Sequence, residues 1–238
     1  MADGTTISVN FSKPIPLFPL DTVALMPQQV LPLHIFEPRY RQMIEHTLDG
    51  HGLIALAVFK GSRWKQEYHG RPPVMPAVCV GHLARHEKLP DGRFNVFLQG
   101  VCRARIAHEL PPDDQRLYRL AVLEPVGVDL DPDAPPPRLE LLRAKLQGSL
   151  AEGPLSRLVT AEAMLNFTRN PEVPSQVILE MVATAIVHNH AARYQLLAEG
   201  DPERRAEILD AEVVHLESLI RRAERQDPQA WPKGCSWN

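Results

Sequence analysis

At residues 129–137 the chain reads Asp-Leu-Asp-Pro-Asp-Ala-Pro-Pro-Pro. Three consecutive prolines fix φ and remove three backbone donors, which favours an extended connection. The hydrophobic pattern changes across this run. Before it, apolar residues come in short runs of strand length; after it, they recur at helical spacing. Most of the 23 prolines also lie before Pro137, where they punctuate strands and turns. The pattern predicts an α+β chain with a β-rich part over 12–129, a connection over 130–137 and a helical part over 138–226. The ends, 1–11 and 227–238, read as flexible.

In the first part, Ile15–Leu20 and Val30–Phe36 read as strands interrupted by proline, hence edges or bends. Pro38 suits a first helical turn, where its missing N–H would be unpaired anyway. Tyr40, Met43, Ile44 and Leu48 continue that helix, and Gly50 ends it. Leu53–Phe59 is a continuous apolar run, as expected of a strand buried on both faces. Ala77–Leu83 and Phe94–Leu98 flank Asp91-Gly92, a hairpin signal because the tight turn needs positive φ. Val101–Ala107 and Tyr118–Val126 complete a set of short antiparallel strands suited to a small barrel-like fold.

In the second part, Leu139, Leu142, Leu146 and Leu150 share one helical face. Thr160 and Ser175 are placed to cap two further helices, the second burying Val177, Ile178, Met181, Val182, Ala185 and Ile186. A last helix opens at Asp201-Pro202 and carries Ile208, Leu209, Val213, Leu216, Leu219 and Ile220. Four amphipathic helices in sequence predict a bundle.

Composition excludes several functions. Net charge is −3, so no global field recruits nucleic acid or an anionic membrane. The three cysteines, Cys79, Cys102 and Cys235, do not make a disulfide framework and fit a reducing compartment. The N-terminus carries no signal-peptide pattern, and no apolar stretch approaches the ~20 residues that span a bilayer. These features imply a cytoplasmic protein without membrane attachment.

The stretch from Ile15 to Tyr40 carries a specific motif: Pro16-Leu17-Phe18-Pro19-Leu20, then Pro27, then Leu31-Pro32-Leu33-His34-Ile35-Phe36-Glu37-Pro38-Arg39-Tyr40. It resembles the opening of the N-terminal domain of Lon proteases. Val80-Gly81, Asp91-Gly92-Arg93, Gly100-Val101-Cys102-Arg103, Tyr118 and the segment from Leu196 to Leu209 are similar to later parts of that family, in the same order. The resemblance implies a PUA-like pseudo-barrel followed by a helical bundle. It also implies recognition of exposed apolar or flexible polypeptide segments, as an adaptor in protein quality control, with a separate protease or chaperone as partner. The sequence has no G-x-x-x-x-G-K-[ST] phosphate loop and no counterpart of Lon's Ser–Lys protease domain. The expectation is a free-standing, non-catalytic binding module that needs no cofactor and no metal.

Phe18, Met26, Phe36, Tyr40 and Met43 are the candidate polypeptide contacts, because Met and aromatic surfaces adapt to varied apolar partners. Alternation along strands more often means core packing for each of them, and a groove needs only two or three of them exposed. Glu37, Pro38 and Arg39 read as a structural turn, with Glu37 accepting backbone N–H groups at the helix start and Arg39 paired to a carboxylate. An alternative is RNA binding through Lys60, Arg63, Trp64, Lys65, Tyr68 and Arg71, since cations beside aromatics suit single strands. Glu67 and the overall acidity weigh against it. Cys79, His82 and His86 have a zinc-like spacing but fall on one predicted strand, where Cys79 and His82 point to opposite faces.

Overall fold

The computed structural model describes residues 7–67, 70–127 and 136–225. Six strands form one mixed sheet: β1 (Ile15–Leu20), β2 (Val30–Ile35), β3 (Leu53–Val58), β4 (Ala77–Lys88), β5 (Phe94–Glu109) and β6 (Arg119–Pro125). Helix α1 (Pro38–Leu48) lies between β2 and β3. Helices α2 (Pro137–Ala151), α3 (Ala161–Thr168), α4 (Ser175–Ile186), α5 (His190–Ala198) and α6 (Pro202–Arg225) follow the last strand. The fold is α+β.

The pairings close a ring. β1 runs parallel to β3 and antiparallel to β6. β3 pairs with β4, β4 with β5, and β5 with β6, all antiparallel. Alternation then divides the apolar residues between two cores. Ile15, Leu17, Ala55, Ala57, Val78, Val80, Ala104, Ala121 and Leu123 form one cluster, drawn from the five strands of the ring. Its many alanines suit the small space a five-stranded ring leaves. The opposite faces, with Phe18, Ile54, Leu56 and Cys79, join α1 and the later helices in a larger cluster. β3 therefore is buried on both sides, as its unbroken apolar run predicts.

β5 is one strand of 16 residues where the sequence reads two. Its first half pairs with β2, from Val30↔Gln99 to Ile35↔Phe94, and its second half with β6. Gly100, at the expected break, is instead a point of close approach. Its N–H donates to the Gln29 carbonyl at 2.8 Å, and its carbonyl accepts from the Gln28 N–H at 2.9 Å. A Cβ there would stand 2.1 Å from the Met26 carbonyl oxygen, so no other residue fits without moving the crossing loop. The predicted hairpin turn is present, with Gly92 at φ +79°.

The helical part departs from expectation in four ways. There are five helices after β6 among the described residues; α5 was hidden because its nine residues carry only a weak apolar stripe. Its start is marked by Asn189, whose side-chain oxygen accepts from the Ala191 and Ala192 N–H groups at 2.9 and 3.1 Å. Thr160 makes no capping bond and its hydroxyl turns to the Met164 sulfur. Ser175 is inside α4 rather than before it, and its hydroxyl bonds Glu140 at 2.5 Å. Finally, α4 buries Leu179, Glu180 and Ala183 and leaves Met181 exposed, a face rotated from the predicted one.

Glu180 explains that rotation. It is 7% exposed and sits between two buried guanidinium groups: Arg103 of β5 at 2.7 Å and Arg205 of α6 at 3.1 Å. Arg103 also donates to the Leu196 carbonyl, and Arg205 to the Glu199 and Gly200 carbonyls. Nearby, the Ala77 N–H donates to the Tyr194 hydroxyl at 2.8 Å. A carboxylate so supplied with donors is tolerated inside, whereas a bare one is not. These bonds tie the strands to α4, α5 and α6.

Candidate functional site

The motif at residues 31–40 folds as a strand, one exposed residue and a helix start. β2 ends at Ile35, whose side chain is core, and Pro38 opens α1 in its first turn. Phe36 lies between them, 60% exposed. Its neighbour Glu37 occupies the N-cap position, yet its carboxylate makes no capping bond, which corrects that part of the expectation. The backbone carbonyl of Glu37 starts the helix instead, accepting from Tyr40 and Arg41. The Glu37 carboxylate pairs with Arg39 at 2.9 Å, and the Arg39 guanidinium lies 4.6 Å from the Tyr40 ring centre. Tyr40 in turn meets Phe18 edge-on at 4.5 Å. Proline, ion pair and aromatic stack hold the turn in place, which leaves the Phe36 ring outside.

Of the five candidate contacts, four are therefore core. Phe18, Met26, Tyr40 and Met43 are each 5% exposed or less. They pack against α1 and the strands, because the alternation that made them look like a groove is the alternation of a buried face. Met26 and Met43 are closed off from the surface, and Phe18 and Tyr40 reach a hollow beside Phe36.

Phe36 stands at a cleft of about 830 Å³ that runs along the rim of β1 and α1. Pro19, Tyr40, Phe59, Pro72, Pro112 and Leu117 supply apolar wall. Leu117 is 61% exposed, so the cleft has an uncovered apolar residue on each side. A smaller hollow of about 270 Å³ continues past Phe36 to His34 and Trp64. The charged lining is mainly cationic: Arg39, Arg71, Arg116 and Arg119 against Glu37. Arg119 is nearly buried, paired with Glu109 and donating to the Pro72 carbonyl. Arg116 pairs with Asp113 at 2.8 Å. Burial pushes the Tyr118 phenol up, against the lowering effect of Arg116, and its hydroxyl contacts His46 Nδ1 at 3.0 Å.

Sequence reasoning missed Phe59, Leu117, Pro112 and Arg119 as parts of this site. The usable signal was two Pro-Pro steps, Pro72-Pro73 and Pro111-Pro112, since paired prolines in loops set rigid walls. The basic stretch falls apart as a surface. Arg63 pairs with Glu67 at 2.8 Å, and Trp64 stacks on Phe59 at 5.4 Å with planes 9° apart. Lys65 lies over Trp64, Lys60 is exposed on its own, and Arg71 turns toward the Leu110 carbonyl. Tyr68 lies outside the described residues. Burial raises both described thiols, Cys102 to about 11 and Cys79 further, so neither is poised as a nucleophile. Among the described residues, no group of three His, Cys, Asp or Glu side chains stands close enough to hold a metal. No helix among them is long and apolar enough to cross a membrane.

The family model described as the ATP-dependent protease La (LON) substrate-binding domain matches residues 14–212. The chain belongs to this family. A Lon protease of Trichlorobacter lovleyi is 26% identical over 227 residues, covering 90% of this chain and 26% of its own length. A Lon protease of Desulfosudis oleivorans is 27% identical over 112 residues, which is 47% of this chain and 13% of that protein. The chain thus spans about a quarter or less of these curated relatives. Two solved structures share the fold. The Lon N-terminal domain protein from Xanthomonas campestris gives a TM-score of 0.59 at 20% identity, covering 84% of this chain and 98% of that one. The N-terminal domain of Mycobacterium avium complex Lon protease gives 0.62 at 16%, covering 84% and 97%. The matched region takes in both the strands and the helices up to the middle of α6, and the residues lining the Phe36 cleft fall within it.

Proposed function

We propose that this chain binds exposed apolar or flexible segments of other polypeptides in the cleft around Phe36. The observation that supports this most is Phe36 itself. It is a large aromatic held out in solvent beside a turn whose Glu37 and Arg39 are paired and whose Ile35 and Tyr40 are buried, in a chain of a substrate-binding family. An exposed aromatic beside a preformed apolar cleft is a ready anchor point. Leu117 across the cleft would close on the same segment.

On this reading the protein is a non-catalytic adaptor in protein quality control, acting in the cytoplasm and delivering clients to a separate protease or chaperone. We read the strand part, 12–129, as PUA-like and the part over 138–226 as a helical bundle. RNA binding is not favoured, because Trp64 of the basic stretch is already stacked on Phe59 and its Arg63 is paired within the stretch.

The test is fluorescence anisotropy with a labelled, permanently unfolded polypeptide and a folded control. The expected result is saturable binding of the unfolded probe, lost in a Phe36→Ala, Leu117→Ala double variant that keeps its melting transition. Equal binding of folded and unfolded probes, or full binding by the double variant, would contradict it.

A further inference from the structure

The charge lining the Phe36 cleft is opposite to that of the chain. The protein carries a net charge of −3, yet the cleft is lined by four arginines and one glutamate. A second cavity of about 560 Å³ adjoins it and shares Arg116 and Tyr118 as a common wall. The second cavity is lined by Lys13, His46, His51, Arg116 and Tyr118, and by no Asp or Glu among the described residues. Thr47 adds a buried hydroxyl that has no hydrogen-bond partner among the described residues.

Two of these cations are not neutralised. Lys13 Nζ lies 3.4 Å from His51 Nε2, and Arg71 donates to the Leu110 carbonyl at 3.0 Å. Neither has a carboxylate within ion-pair distance among the described residues, whereas Arg39, Arg116 and Arg119 each have one. Arg71 stands at the Phe36 cleft and Lys13 at the adjoining cavity. One feature opposes an anion there: the C-terminal end of α1, where the helix dipole is negative. The Thr47 carbonyl at that end is already capped by the Gly50 and Gly52 N–H groups, at 3.2 and 3.0 Å. The full charge of a lysine exceeds the remaining half-charge of a capped helix end.

Building on the polypeptide-binding reading, we infer that the site selects apolar segments flanked by carboxylates, with the apolar residue at Phe36 and Leu117 and the carboxylates at Arg71 and Lys13. The carboxylates are acidic side chains within the bound segment. Cations in an apolar cleft and in the cavity beside it discriminate by repelling basic flanks as well as by attracting acidic ones.

The experiment uses the full chain and peptides that share one aromatic anchor. One is neutral and amidated. A second series carries Asp at successive positions on either side of the anchor, also amidated. A third peptide is neutral with a free C-terminal carboxylate, and a fourth carries Lys flanks. Affinity for at least one Asp-bearing peptide should exceed that of the neutral one by roughly fivefold to tenfold at low salt, as one charge-assisted contact allows. The ratio of the acidic peptide's affinity to the neutral peptide's should shrink in Arg71→Gln or Lys13→Gln and in added salt. A gain confined to the third peptide, with none in the Asp series, would overturn the assignment to acidic side chains. If neutral and acidic peptides bind equally well, and Phe36→Ala weakens both, the selectivity is wrong and the Phe36 reading stands. If no peptide binds, both are wrong. A single-stranded RNA oligomer that displaces the acidic peptide at micromolar concentration would also overturn the assignment, since the cations would then serve phosphates.

Discussion

Glu180 and Phe36 both sit on the side of the water boundary that their chemistry disfavours. Glu180 is a carboxylate inside the protein; Phe36 is an aromatic outside it. The difference lies in what surrounds them. Glu180 is closed by Arg103 and Arg205, and those arginines spend their other donors on the Leu196, Glu199 and Gly200 carbonyls. The arrangement is complete within the chain, so it belongs to the fold. The Phe36 ring stacks on His34, at 6.4 Å between ring centres, and most of its surface meets solvent. That surface is completed only by something else. A residue in the disfavoured place reads as structural when its partners are inside the chain and as functional when they are not.

The largest expected effect breaks the first half of this comparison. Glu180→Gln leaves two buried guanidinium groups without their counter-charge and should cost about 3–5 kcal/mol in urea denaturation. Peptide binding by the folded fraction should be unchanged. Phe36→Ala should do the opposite. Stability should stay within about 0.5 kcal/mol, as for a surface site, while affinity for an unfolded polypeptide falls by about 2 kcal/mol, roughly 30-fold. If Phe36→Ala destabilised the fold as much as Glu180→Gln, the ring would be a structural prop and the comparison would fail.

Smaller effects sharpen it. Asn189→Ala removes the side-chain cap of α5 and should cost about 1 kcal/mol, read as a lower urea midpoint with unchanged slope. α5 carries Tyr194 and Leu196 to the strands, so this loss should add to that of Glu180→Gln less than fully. Arg63→Ala removes an exposed ion pair, with side chains 69% and 43% accessible. It should change stability by no more than about 0.5 kcal/mol and leave polypeptide binding intact. A strong effect on binding would restore a role for the basic stretch.

Much of the fold was legible because its determinants are local and periodic. The unbroken apolar run at β3, the Asp91-Gly92 turn, the leucine stripe of α2 and Pro38 at the start of α1 each state their structure within a few residues. The orientation of α4 was not legible, because the partners of Glu180 lie 77 residues before it and 25 after it. α5 was hidden behind a weak stripe, and Gly100 looked like a strand break because the loop it admits is distant in sequence. The site followed the same division. The motif from Ile15 to Tyr40 supplies part of the Phe36 cleft, but alternation cannot say which face of a strand is covered. Only Phe36 of the five candidates is outside. Leu117, Phe59 and Pro112 reach the cleft from segments whose proximity only the closed ring creates.

The most direct test of the account is photo-crosslinking of an unfolded polypeptide that carries a benzophenone side chain, with the cross-linked residues identified by mass spectrometry. Adducts concentrated at Phe36, Phe59 and Leu117, and lost on competition with unlabelled polypeptide, are the predicted result. Competable adducts gathered instead on the exposed faces of α2 or α6, with none around Phe36, would contradict it.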